Sequence, residues 1–167
     1  MSARAQSAGP AGEIRGLMAP TAQGEVLLPS TAVAEVVAYS GEARSRPVGP
    51  PWFVGELDWR GQRVPVVDPG RVADGVPRPG NAGLRRSRPC VLIAFSPNGN
   101  RALPYFGFLV ADSPHLVRVH AADLAPETVP QTRSFVLHAL EFQGRPAWVP
   151  DLDEVERQLL QLGLHGT

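Results

Sequence analysis

Short apolar runs, parted by glycine, proline and polar clusters, follow one another along the chain: Ile14 to Met18, Val26 to Leu28, Val36 to Tyr39, Phe53 to Trp59, Val64 to Val67, Val91 to Phe95, Ala102 to Val110, Leu116 to Val119, Phe135 to Phe142 and Ala147 to Val149. Runs of this length bounded by turn residues read as strands, so the pattern predicts about ten strands and an all-β fold. Pro65 and Pro104 lie in or beside two of the runs, where a missing N–H is tolerated at an edge or a bulge. Helix is expected at two places. Ser30 is placed to cap a short helix over Thr31 to Glu35, and Asp151 with Glu154 forms a capping box. That second helix carries Val155, Leu159 and Leu162 on one face and stops before Gly163, as a C-terminal glycine dictates.

The pattern also repeats. Leu57-Asp58-Trp59-Arg60-Gly61-Gln62-Arg63-Val64-Pro65-Val66-Val67-Asp68 returns as Leu140-Glu141-Phe142-Gln143-Gly144-Arg145-Pro146-Ala147-Trp148-Val149-Pro150-Asp151, matching in leucine, acid, aromatic, polar residue and glycine, then an apolar strand and aspartate. A fainter echo links Gly24 to Pro29 with Gly99 to Pro104, each reading as a hairpin turn followed by a strand ending in Leu-Pro. Two related halves of five strands follow. In each clear repeat the glycine supplies the positive φ of a tight hairpin, making Arg60-Gly61 and Gln143-Gly144 the turn tips.

Residues 1–12, rich in alanine, serine and glycine, read as a flexible tail, and the proline- and glycine-rich stretch from about 69 to 88 as the surface link between the two halves. The remainder, 13–167, is one domain of two intertwined halves. Gly 17 and Pro 18 fall between the apolar runs and support many turns, while 43% hydrophobic against 19% charged residues is a globular balance. Lysine is absent and the formal net charge is zero, so no overall field selects nucleic acid or membrane. The single cysteine, Cys90, rules out an intrachain disulfide and reads as a buried thiol in a reducing compartment. No run has signal-peptide character or approaches the roughly 20 residues that span a bilayer. A cytoplasmic location without membrane insertion is the expectation.

Candidate chemistry is sparse. Asp58 and Asp68 flank one hairpin, yet the turn at Arg60-Gly61 sets Asp58 opposite Arg63 and leaves Asp68 roughly 17 Å away along the strand. Cooperating carboxyl pairs need about 5 to 9.5 Å, so a cross-strand Asp58–Arg63 ion pair is the expected use. The histidines 115, 120, 138 and 165 have no metal-ligand spacing, and no nucleophile motif or phosphate loop is present. No catalytic residue, metal or cofactor is expected. A nucleic-acid-binding barrel is the alternative, resting on Arg85, Arg86 and Arg88, but this cluster lacks the interleaved aromatics on which bases stack. Trp59, beside a turn where a large ring is hard to bury, is the candidate interface anchor.

From Pro47 to Asp68 the chain reads P-V-G-P-P-W-F-V-G-E-L-D-W-R-G-Q-R-V-P-V-V-D. It resembles the CheW family of chemotaxis coupling proteins, whose best-marked segment is a proline-containing loop, an apolar strand, an N-L-R-G hairpin and a V-P-V-I-D strand. The likeness extends to Leu27 to Val37, to Ala102 to Val119 and to the closing G-x-P-A-W-V-P-D-L hairpin. It implies two SH3-like five-stranded β-barrel subdomains with a short C-terminal helix. It further implies a non-catalytic adaptor that couples the cytoplasmic tip of a chemoreceptor to the regulatory domain of a CheA-type histidine kinase. By match to the family pattern, Val33, Glu35, Arg60 and Gly61 correspond to partner-contact positions. Asp58-Trp59 stands where the family has Asn-Leu, a departure that points to an accessory member serving a pilus-linked twitching system.

Overall fold

The computed structural model describes residues 12–21, 24–45, 49–69, 88–126 and 135–164. These form β1 (Glu13–Thr21), β2 (Gly24–Pro29), β3 (Val33–Ala38), β4 (Phe53–Trp59), β5 (Gln62–Val67), β6 (Cys90–Phe95), β7 (Tyr105–Val110), β8 (His115–His120), β9 (Leu124–Pro126), β10 (Val136–Phe142), β11 (Arg145–Pro150) and α1 (Leu152–Gln161). One sheet runs β3-β6-β7-β5-β4 and the other β8-β1-β2-β11-β10-β9. The two orders are the same design, with β8, β1, β2, β11 and β10 standing for β3, β6, β7, β5 and β4. Even the parallel step recurs, as β5 beside β7 and β11 beside β2. The first barrel is one continuous stretch of chain, whereas the second joins β1 and β2 to β8 through β11 across nearly the whole sequence.

Among the described residues three cores hold these layers. Leu57, Trp59, Val64, Val66, Val91 and Ile93 fill the first barrel, and Met18, Leu27, Val119, Leu140, Phe142 and Ala147 fill the second. Between the barrels lies a larger cluster that takes Leu92, Ala94, Phe106 and Phe108 from one sheet, Val26, Leu28 and Trp148 from the other, and Val155 and Leu159 from α1. Strands β6 and β7 therefore bury both faces. This explains why their sequences are unbroken apolar runs rather than an alternation.

The repeated hairpins form as the sequence requires. Trp59 pairs with Gln62 and Phe142 with Arg145, leaving two-residue turns in which both residues have positive φ: Arg60 at 49° and Gly61 at 75°, Gln143 at 51° and Gly144 at 76°. This is the type I′ geometry that suits the twist of the flanking strands, and its first position prefers asparagine or glycine. Gln143→Asn is accordingly expected to stabilise the protein by about 0.5–1 kcal/mol, read from denaturant midpoints at unchanged slope.

At the helix, Asp151 Oδ1 accepts from the Glu154 N–H at 3.1 Å, which is half of the expected capping box. The other half is missing because the Glu154 carboxylate turns to Arg157 and Gln158. The Arg157 bond is the main influence that lowers the Glu154 pKa; a depressed carboxylate contributes stability above its unfolded-state pKa that is lost as pH falls through the folded value. Asp151→Ala is expected to cost about 1 kcal/mol by thermal or chemical melting. The C-terminus closes with Gly163 N–H on Leu160 O and Leu164 N–H on Leu159 O, the paired bonds of a Schellman end.

Several expectations are corrected. Ser30 caps nothing: Ser30–Ala32 is a single 3₁₀ turn without a side-chain cap bond, and Val33–Ala38, rich in β-branched valine, is strand. The echo at Gly99 to Pro104 is a turn that precedes β7, with Leu103 buried as its plug; the structural counterpart of β2 is β7 itself. β9, an eleventh strand among the described residues, adds to the outer side of β10. Pro65 lies on an inner strand, but the β5–β7 ladder spans only Val66 and Val67, so the proline precedes it. The link at 69–88, of which 70–87 lies outside the described residues, joins β5 to β6 of one sheet. The chain passes between barrels after β2 and after β7. The tail at 1–11 is likewise outside the described residues.

Candidate partner-binding site

The site grows from a bulge in β3. Val33 pairs with Ala94 and Glu35 with Ile93, so two residues of β3 oppose one step of β6. Strand alternation alone would send Val33 and Glu35 to the same side. The extra residue breaks it: Val33 packs on the inter-barrel core, while Glu35 shares the side of Ile93, which lines the first barrel. Re-aiming a side chain is a characteristic use of a bulge.

β3 and β4 are the two edges of the first sheet, and side chains close the seam between them. Glu35 Oε2 accepts from Trp59 Nε1 at 2.9 Å and forms an ion pair with Arg60, whose Nη2 stands 2.9 Å away. The Arg60 guanidinium carbon lies 4.9 Å from the centre of the Trp59 ring. Its side chain is 69% exposed and that of Glu35 38%, so the ion pair itself is worth no more than about 1 kcal/mol. The gain is geometric. A long, mobile arginine is held flat by a carboxylate and an aromatic face, with donors still directed to solvent.

Trp59 differs from the expectation. It is only 9% exposed and packs edge-on to Tyr105 with ring centres 5.0 Å apart, so it supports Glu35 and Arg60 from beneath and is not a protruding anchor. Tyr105 continues to Phe95 at 5.6 Å, and Phe95 is 45% exposed. The rim thus offers an exposed aromatic that sequence reasoning missed, because Phe95 reads as the end of a buried strand. Gly61 sits at the tip with nothing near its α-carbon that a side chain would meet. Across the hairpin, Asp58 and Arg63 face each other in register, but the Asp58 carboxylate binds Arg44 at 3.0 Å instead. Arg44 is brought there by backbone pairing of its own N–H and carbonyl with Glu56.

Among the described residues no group of histidine, cysteine, aspartate or glutamate is arranged to hold a metal, and no helix is long and apolar enough to cross a membrane. Arg85 and Arg86 of the basic cluster lie outside the described residues. The arrangement belongs to the class of paired SH3-like barrels. In fold the chain is similar to the scaffolding protein TtCheW from Thermoanaerobacter tengcongensis, with a TM-score of 0.67 and 17% identity over 88% of this chain and 89% of that one. No curated protein sequence matches it. The pattern of the CheW-like domain matches residues 15–159, and the chain belongs to that family of chemotaxis-type signalling scaffolds.

Proposed function

We infer that the protein is a cytoplasmic coupling adaptor, without catalytic activity, that joins a CheA-type histidine kinase to the cytoplasmic tip of a chemoreceptor. Val33, Glu35, Trp59, Arg60 and Gly61 make up its partner-binding site, with Arg60, Gly61 and Glu35 at the surface and Trp59 and Val33 beneath them. The observation that carries this reading is the Arg60 fork, fixed by Glu35 and Trp59 at a solvent-facing turn beside the apolar rim of Phe95. A pre-oriented guanidinium beside an exposed aromatic is the composition of an interface hot spot. Glu35 and Trp59 orient the fork, Gly61 leaves the tip unobstructed, and Val33 ties the strand to the inter-barrel core. The Asp58-Trp59 departure from the family's Asn-Leu supports an accessory member in a pilus-linked twitching system.

Co-elution of the purified chain with the regulatory domain of the CheA-type kinase from the same organism tests the reading. A stable complex at moderate salt is the expected result. Failure to bind any such kinase would leave the fold standing and remove the adaptor assignment.

A further inference from the structure

We propose that the seam of the second barrel is a docking cleft for an acidic segment of a partner protein, seating one glutamate or aspartate side chain. The first barrel supplies the template: its seam is filled by a carboxylate, Glu35, held by Trp59 and Arg60. The repeat places Phe142 and Gln143 at the positions of Trp59 and Arg60. The strand facing them is β8 rather than β3, and β8 brings His115, Val117 and Arg118 to the seam, with no acid among them. The place that a carboxylate occupies in one barrel is an open cleft of about 210 Å³ in the other.

The charge of the cleft favours an acid. Arg118 and Arg145 both line it, against the single carboxylate of Glu25. Arg145 Nη1 stands 3.8 Å from Glu25, and Arg118 Nε 3.6 Å from Glu13, which also lies 3.9 Å from His120. These distances are ionic but too long for hydrogen bonds. Among the described residues neither guanidinium makes one, and both side chains are about 70% exposed. Arg118 also faces Arg15 directly across the β1–β8 pair, and like charges so placed repel. A carboxylate arriving here would take up free donors and relieve that repulsion.

Size and surroundings select a protein side chain over a free metabolite. The cleft is smaller than the roughly 300–1,000 Å³ of small-molecule pockets. Met18, Val117 and Phe142 also line it, an apolar contact for a residue flanking the acid.

The test titrates the full ¹⁵N-labelled chain with a blocked Leu-Glu-Leu peptide, its Leu-Gln-Leu counterpart and glutarate at matched ionic strength. The Glu peptide is expected to shift the amides of Val117, Gln143 and Arg145 saturably and to bind about tenfold tighter than either control. Arg145→Gln and Arg118→Gln should each weaken it, while Glu25→Gln, which removes the competing carboxylate, should tighten it; this gain cannot come from misfolding. Equal shifts from the Gln peptide, equal affinity for glutarate, shifts confined to the Arg60 seam, or no saturable shift at all would each overturn the proposal. Because the cleft is remote in sequence from Arg60, loss of kinase co-elution would leave it untouched.

Discussion

Arg60→Glu is expected to abolish co-elution with the regulatory domain of the proposed kinase partner, weakening the complex by about 100-fold or more, while the protein stays folded. The binding loss is that of a hot-spot charge reversed: the fork is removed and its carboxylate partner meets a like charge. Stability changes little because the Arg60 side chain is 69% exposed, and surface pairs of this kind contribute no more than about 1 kcal/mol. Titration calorimetry and a thermal melt on the same sample separate the two effects. Arg60→Lys, which keeps the charge but not the planar fork, should fall between wild type and Arg60→Glu. Unaltered affinity of Arg60→Glu would remove this turn from the interface, and an insoluble product would make Arg60 a structural residue.

Gly55→Ala is the substitution with the largest expected cost in stability, about 2–4 kcal/mol. Gly55 has φ of 148° at the bulge of β4, and a Cβ there would lie 2.5 Å from the carbonyl oxygen and 2.7 Å from the carbonyl carbon of Arg44. Backbone must move to admit it. The movement breaks the Arg44–Glu56 pair that covers the outer edge of β4. Gly49→Ala is the control, since its Cβ would meet only the Phe53 ring at 3.7 Å, an ordinary contact. A neutral Gly55→Ala in chemical denaturation would show that this edge is not covered as described.

What could be read from the chain beforehand follows the range of the forces involved. The hairpins at Arg60-Gly61 and Gln143-Gly144 were legible because a type I′ turn is a local event with its own residue preferences. The C-terminal helix was legible through its aspartate cap and its terminating glycine. β9 was not, because three residues ending in proline carry no periodicity. The Ser-Thr-Ala turn looked like a helix start until tertiary pairing of the following valines with β6 prevailed. At the site, Arg60 and Gly61 announce themselves by the turn, but Glu35 does not. It lies 24 residues before Trp59 and reaches it only through the bulge, so its place was available from family resemblance alone. The second cleft was invisible for a similar reason: its lining comes from β1, β2, β8 and the β10–β11 hairpin, strands that only the assembled sheet brings together.

The two barrels also differ in when they can exist. On a ribosome, the continuous stretch from β3 to β7 has all its strands as soon as β7 emerges. β1 and β2, made earlier, must wait for β8, β10 and β11 before their pairing partners are complete. Through that interval the β1–β2 hairpin lacks β11 along its open edge, leaving Val26, Leu27 and Leu28, all buried in the finished protein, without their full cover, and exposed apolar strand edges are a usual start of aggregation. Nascent chains stalled before β10 should therefore expose this first hairpin to chaperones and proteases, and release it only when the last strands arrive.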